Sequence, residues 1–321
     1  MNKKIVLLFF VCFAFIIMSC KETDNSEVIA SIDDVSKIVL ADFDGDGADD
    51  VFTTVDGAGW YVSYGGVESF QKINTSAAKM DEIMIGDLNG DGKADVFYPT
   101  PNGFQGAGWY LSSGGTTPWT KINDLTAMVG EVYLADMNND GKDDVFYPTL
   151  NGNDGTGWYV SYGGTTSWSK IFNSAAPIQD IKLGDFNGDG VFDAFYPALT
   201  GYQGAGWYIS YSAENVWAKL NTLTALINEV LIGDIDGNGK DDVLYPALNG
   251  NEGAGWYVSS EGTTNWIKIN AFTEQLSEVL IGDLNGDGQD DLFKANSNGW
   301  FVSFGGTANW VKINDKVKIL K

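Results

Sequence analysis

Short apolar runs separated by glycine-rich polar turns recur along the chain from about residue 35 to its end. One stretch illustrates the pattern, with runs at 229–233, 242–245, 256–259 and 266–269. They are rich in Val, Ile, Trp and Tyr and bounded by turn residues, which predicts strands. Helical periodicity is absent, with the connector around residues 271–276 as the one exception.

The runs repeat in register. Acidic segments begin at Asp42, Asp87, Asp136, Asp185, Asp234 and Asp283, spaced 45, 49, 49, 49 and 49 residues apart. A Gly-Trp-aromatic segment follows each one, with tryptophans at 60, 109, 158, 207, 256 and 300. Ten residues later stands a second aromatic: Phe70, Trp119, Trp168, Trp217, Trp266 and Trp310. These two series account for all 11 tryptophans. Four short strands per unit and a period in the forties is the arithmetic of a propeller blade. A lone blade cannot bury both faces, whereas a closed ring can. The predicted fold is all-β, a β-propeller of six blades with four antiparallel strands each. Seven is the alternative count, because Val317–Leu320 could add a strand to a neighbouring blade. A residue repeated in every unit fills one packing slot, so the tryptophans are expected between blades.

Composition narrows the function. Apolar residues make up 44% of the 321 residues, ample for a core, and the 40 glycines fall at recurring turn positions. Acids number 43 against 19 lysines, with no arginine and no histidine, for a net charge of −24. Such a chain repels phosphate backbones and lacks arginine forks to grip them, so nucleic acid is excluded as a partner. Without histidine, zinc sites and imidazole acid–base catalysis are also set aside. Cys12 and Cys20 are the only cysteines, so the body of the protein has no disulfides.

Both cysteines lie in an address segment. Lys3 and Lys4 precede an apolar run from Ile5 to Met18, shorter than the roughly 20 residues of a membrane-spanning helix. The sequence Ile17-Met18-Ser19-Cys20 resembles the bacterial lipobox, whose cysteine is lipidated. The resemblance implies a signal peptide at 1–19, a lipid on Cys20 and a polar tether at 20–34, leaving 35–321 as the propeller. The acidic Lys21-Glu22-Thr23-Asp24 resembles a surface-export signal of some Bacteroidetes lipoproteins, implying an outer-membrane, cell-surface location. Two acyl chains would give stable attachment.

The acidic segments carry the clearest chemistry. Side-chain oxygens stand at positions 1, 3, 5 and 9 of each: Asp42, Asp44, Asp46 and Asp50; Asp87, Asn89, Asp91 and Asp95; Asp136, Asn138, Asp140 and Asp144. The other three present Asp185, Asn187, Asp189 and Asp193; Asp234, Asp236, Asn238 and Asp242; Asp283, Asn285, Asp287 and Asp291. Glycine always holds position 6, where the chain must reverse sharply. Hard oxygens wrapped around one point suit Ca²⁺, which takes six to eight of them. Clustered carboxylates are costly unless a cation neutralises them. Up to six structural Ca²⁺ ions are therefore expected. An EF-hand would need Glu at position 12 and flanking helices; here that position is Thr53 or Tyr98 and strands follow.

Loops of the form Asp-x-[Asp/Asn]-x-[Asp/Asn]-Gly-x-x-Asp between the first two strands of a blade resemble FG-GAP/VCBS repeats, found in integrin α-subunit propellers and some fungal propeller lectins. The likeness spans residues 35–315. It implies a structural calcium pinning each strand turn.

Copies two to five share an insertion between their second and third strands, from Tyr98 to Gln105, Tyr147 to Asp154, Tyr196 to Gln203 and Tyr245 to Glu252. An aromatic face beside an amide or carboxylate is the chemistry of a sugar site. Four such sites could hold a repeating glycan by avidity. The chain is expected to be a monomeric, non-catalytic binding module for glycans, with a protein-binding adhesin as the alternative. A polysaccharide lyase would require residues that break the repeat at one place, with a base and charge stabilisation.

Overall fold

The computed structural model describes residues 28–152, 154–201, 203–250, 252–315 and 318–320. Among them, six antiparallel sheets of four strands follow one another in chain order, and two further strands form a separate ribbon. The first blade comprises Val39–Ala41, Asp50–Val55, Gly59–Ser63 and Gln71–Asn74. The fifth comprises Leu231–Gly233, Asp242–Gly250, Gly253–Ser259 and Ile267–Lys268. This is the six-bladed propeller the repeat predicts. No helix among the described residues is long and apolar enough to cross a membrane.

Each blade carries buried apolar side chains on both faces, so its core is shared with its neighbours. The tryptophans at 60, 109, 158, 207, 256 and 300 are fully buried in the third strands. Their indole N–H groups are satisfied by the next connector: Trp60 donates to the Ala78 carbonyl at 2.9 Å and Trp109 to Ala127 at 2.8 Å. The second aromatic series wedges in from the following blade. Trp119 meets Trp60 edge-on at 5.2 Å between centroids, and Trp168 meets Trp109 at 5.3 Å. Burying a ring of this size supplies about 4–6 kcal/mol of transfer free energy, an upper figure because unfolded chains already bury some surface. The tryptophans therefore pack between blades.

The ring closes in a way the sequence reading missed. No blade mixes strands from both chain ends. Instead Val28–Ser31 pairs with Lys318–Leu320 in the separate ribbon. Residues 28–34, assigned above to the tether, thus belong to the folded body, with Ile32 and Val35 buried at the seam. Ile32 replaces a connector residue, and its carbonyl accepts the Trp300 indole N–H at 2.9 Å. Phe70 wedges against Trp300 at 5.3 Å, as the second-series aromatics do elsewhere.

The inserts between second and third strands are lengthened hairpins, because the second strands of blades two to five run nine residues. One local reading shifts. The helical stretch near 271–276 is a single 3₁₀ turn at Leu276–Glu278.

Antiparallel order puts the acidic loops on one end of the ring. The hairpins and the connectors lie on the other.

Candidate metal centres

Each acidic loop is folded by its own first aspartate. The Asp42 carboxylate accepts N–H bonds from Gly45 at 2.6 Å and Gly47 at 2.9 Å, and Asp87 does the same from Gly90 and Gly92 at 2.7 and 2.8 Å. Position 5 caps the turn, with Asp46 accepting from Ala48 at 2.9 Å. These bonds require a left-handed backbone at positions 4 and 6; Gly45 and Gly47 have φ of 81° and 89°. At position 4 of the third loop Asn139 takes φ 58°, a conformation asparagine tolerates.

Position 9 is different in kind. Asp50, Asp95, Asp144, Asp193, Asp242 and Asp291 are buried to within 1%. Asp50 ties its loop to the turn after the third strand, accepting from Phe43 at 2.9 Å and Gly65 at 2.7 Å. Burial pushes these carboxyls up, to about 6 for Asp50, Asp144 and Asp291 and about 7 for Asp193 and Asp242, with neighbouring loop aspartates adding to the rise.

In two loops three carboxylates converge: ligand oxygens of Asp42, Asp44 and Asp50, and of Asp234, Asp236 and Asp242, lie within 4.8 Å of one another. Asp242 Oδ2 is buried with no hydrogen-bond partner among the described residues. A buried, unpaired carboxylate oxygen beside two more carboxylates is what a metal cation would satisfy, so the residues fit one. The other four loops carry Asn at position 3. In two of them the amide fills the gap: Asn89 Nδ2 donates to both Asp95 oxygens, at 3.0 and 2.9 Å, and Asn138 Nδ2 to Asp144 at 3.3 Å. Turning that amide over would present its oxygen to a cation.

The loops also fasten to one another. In every case the position-8 N–H donates to the position-1 carbonyl of the preceding loop, from Ala94 to Asp42 at 2.6 Å around to Asp49 to Asp283 at 2.6 Å. At four junctions position 8 is an aspartate, and three of these carboxylates accept a neighbour's backbone N–H at 2.7–2.8 Å: Asp143 from Asp87, Asp241 from Asp185 and Asp290 from Asp234. The fourth, Asp49, bonds the Asp283 backbone. The sequence reading missed position 8; its signal was a glycine just before position 1 of the preceding loop. A Cβ at Gly86 would meet Asp143 Oδ2 at 2.3 Å, and one at Gly282 would meet Asp49 Oδ2 at 2.2 Å. Where position 8 is Ala94 or Phe192, the facing residue is Ala41 or Ala135 instead.

On the opposite end, the hairpins are stapled. The Gln105 N–H donates to the Tyr110 hydroxyl at 3.0 Å, which donates to the Gly106 carbonyl at 2.8 Å, and Lys121 Nζ donates to the Gln105 carbonyl at 3.1 Å. The same arrangement recurs with Tyr159 and Lys170, Tyr208 and Lys219, and Tyr257 and Lys268. The side chains of Gln105, Asp154, Gln203 and Glu252 are exposed. Tyr98, Tyr147, Tyr196 and Tyr245 are half-buried, each packed on the wedge tryptophan of its own blade at 5.1–5.5 Å. Tyr245 and Glu252 border one cavity of about 210 Å³ with Trp266. Tyr196 borders a cavity of about 410 Å³ that does not include Gln203. Phe104, Leu150, Leu199 and Leu248 stand 53–66% exposed on these hairpins. Cys20 lies outside the described residues.

A family model described as FG-GAP-like repeat matches residues 42–98, 87–147 and 136–196. No curated protein matches the chain. Among solved structures, a lectin of Agrocybe aegerita, described for its specific recognition of non-reducing terminal N-acetylglucosamine, is 17% identical over 87% of this chain and 80% of its own, with a TM-score of 0.55. A GH74 enzyme of Niastella koreensis is 16% identical over 91% of this chain but only 38% of its own, with a TM-score of 0.47. The likeness to the lectin is one of fold.

Proposed function

This chain is an FG-GAP-repeat β-propeller, and on that footing we propose that it works as a calcium-loaded, non-catalytic glycan-binding module, held at a bacterial cell surface through a lipid on Cys20. Calcium is the cation the donor set favours. Aspartate and asparagine oxygens are hard ligands, and the sets contain neither histidine nor cysteine. Its contribution would be charge. It would neutralise the buried position-9 carboxylate and the two or three acids around it, which lets the loop close on the third-strand turn.

The observation that carries the binding role is the set of stapled hairpins. Four copies present an exposed amide or carboxylate on a backbone fixed by a tyrosine hydroxyl and a lysine. Such sites lose little entropy on binding, and four of them spaced around one end suit a repeating ligand. The similar fold of a lectin adds support. The tyrosine faces are largely taken by tryptophan, so the contribution expected from these hairpins is hydrogen bonding more than stacking.

A glycan array probed with calcium-loaded protein tests the reading. Binding that disappears when Gln105, Asp154, Gln203 and Glu252 are replaced by Ala supports it. A flat array from folded, calcium-loaded protein rejects it. The exposed Phe104, Leu150, Leu199 and Leu248 favour a second reading, a protein-binding adhesin. Replacing these four with Ser would separate the two, since a protein partner would be lost and a glycan retained.

A further inference from the structure

In four blades one trio recurs beneath the connectors, as in Ala78, Tyr98 and Trp119 or Ala225, Tyr245 and Trp266. The tyrosine packs on the tryptophan, and the alanine carbonyl caps the previous blade's indole. In the sixth blade the trio reads Glu274, Lys294 and Trp310. Two of the three residues have changed together, and into opposite charges.

Lys294 Nζ is ion-paired with Glu274 and lies 4.1 Å from the centroid of the Trp310 ring. Their side chains are only 17% and 21% exposed. Burial would raise the Glu274 carboxyl, yet the Lys294 ammonium holds it below its ordinary value. A pair this far out of water returns little over the aromatic packing it replaces, so fold stability does not explain the exchange. A local rule broken without a stabilising return marks a functional position.

The surroundings are also distinct. The second strand of this blade stops at Asn296, and a two-residue turn leads back to Gly299. With no long hairpin standing over it, the ion pair opens into a cavity of about 630 Å³, bordered also by Asn296, Ser277 and Asp34. That volume is in the range of small-molecule sites.

We propose that this notch is a single saccharide-binding site, taking a neutral, hydroxyl-rich sugar unit through the Lys294–Glu274 pair. It rests on the glycan-binding reading and names a site outside the repeated hairpins. The ammonium keeps two donors beyond its bond to Glu274, and the carboxylate, with about four acceptor sites on its two oxygens, keeps one beyond its bonds from Lys294, the Trp310 indole and its own backbone N–H. Adjacent sugar hydroxyls need such a donor and acceptor side by side. Asn296 Oδ1 is engaged by the Asn298 N–H at 2.8 Å, which aligns the amide and leaves its NH₂ as a further donor. Asp33, Asp34, Glu274 and Glu278 border the cavity against one lysine, which disfavours uronic acids.

The test restores the repeat. The double variant Glu274→Ala with Lys294→Tyr recreates the trio of the other blades, so it should fold, load calcium and melt no lower than the parent. Calcium-loaded parent protein is run on an array of neutral and uronic-acid oligosaccharides, and the strongest neutral hit is titrated by calorimetry. The double variant should then bind at least tenfold more weakly, and Asn296→Ala severalfold more weakly. Unchanged affinity in both variants overturns the notch and leaves the hairpin reading standing. No hit with the parent overturns both readings, and hits confined to uronic acids overturn the stated chemistry.

Discussion

Two neighbouring blade junctions reach the same geometry with opposite chemistry. Between blades two and three, Asp143 accepts the Asp87 N–H above Gly86, and Asn123 donates to the Gly164 and Thr166 carbonyls at 2.9 Å each. Between blades three and four those positions hold Phe192, Ala135 and Phe172, and the turn that supplied Gly163 and Gly164 is Ser212-Ala213. Phe172 there packs on Trp158 at 5.5 Å, and Ala135 and Ala213 are buried in the same cluster. The polar latch needs glycine because a carboxylate occupies the space of a side chain. The apolar plug fills that space itself and tolerates alanine. A ring of near-identical sheets therefore does not need identical seams, only seams whose two sides match.

The largest effect should come from breaking that match. Gly86→Ala drives a methyl into the Asp143 carboxylate and should cost about 2–3 kcal/mol in denaturant unfolding. Adding Asp143→Ala should recover much of it, whereas Ala135→Gly at the apolar seam should cost only about 0.5–1 kcal/mol. A double-mutant cycle showing no coupling between positions 86 and 143 would refute the steric lock.

Next comes the amide clamp. Asn123→Ala leaves the Gly164 carbonyl without its donor, while the Thr166 carbonyl keeps the Ser161 hydroxyl at 2.6 Å, and should cost about 1–3 kcal/mol by the same measurement.

The seams should also differ in pH response. Burial, reinforced by nearby loop aspartates, pushes Asp49, Asp143, Asp241 and Asp290 up to about 7. The folded state thus holds these protons more tightly than the unfolded chain, whose carboxyls titrate near 3.8. Their stabilising contribution is complete below that value and is lost as pH rises through about 7. Chelator-treated protein should accordingly melt lower at pH 8 than at pH 5, and Asp143→Ala should flatten part of that slope. A melting temperature that rises over this interval would contradict the assignment.

The smallest change is a gain. Ser212 sits at φ 52° where most copies have glycine, so Ser212→Gly should relieve roughly 1 kcal/mol of backbone strain. A loss of stability would mean that the serine side chain supplies something the geometry does not reveal.

What could be read beforehand follows from how far apart the cooperating residues are. The blade count and the acidic loops were legible because aspartates two residues apart, with glycine at position 6, form a local unit repeated six times. Gly86 and Asp143 are 57 residues apart and belong to different copies, so their dependence surfaces only when blades are set side by side. Asn74, Asn123, Asn221 and Asn314 end fourth strands and Asn270 lies two residues past one, yet an asparagine there reads as an ordinary turn residue until its carbonyl partners on the next blade are seen. Closure was illegible for a related reason: Val28–Ser31 is too short and too polar in its surroundings to announce a strand, and its partner is at the other chain end. The Lys294–Glu274 pair escaped notice because each residue alone looks like a solvated charge.

The proposal that calcium fills the acidic loops and stabilises the ring is most directly tested by thermal melting at pH 8 with calcium and after chelation, alongside elemental analysis of the purified protein. A melting temperature that falls steeply on chelation and returns with calcium, with several calcium ions per chain, is the predicted result. An unmoved melting temperature together with no bound metal would contradict it.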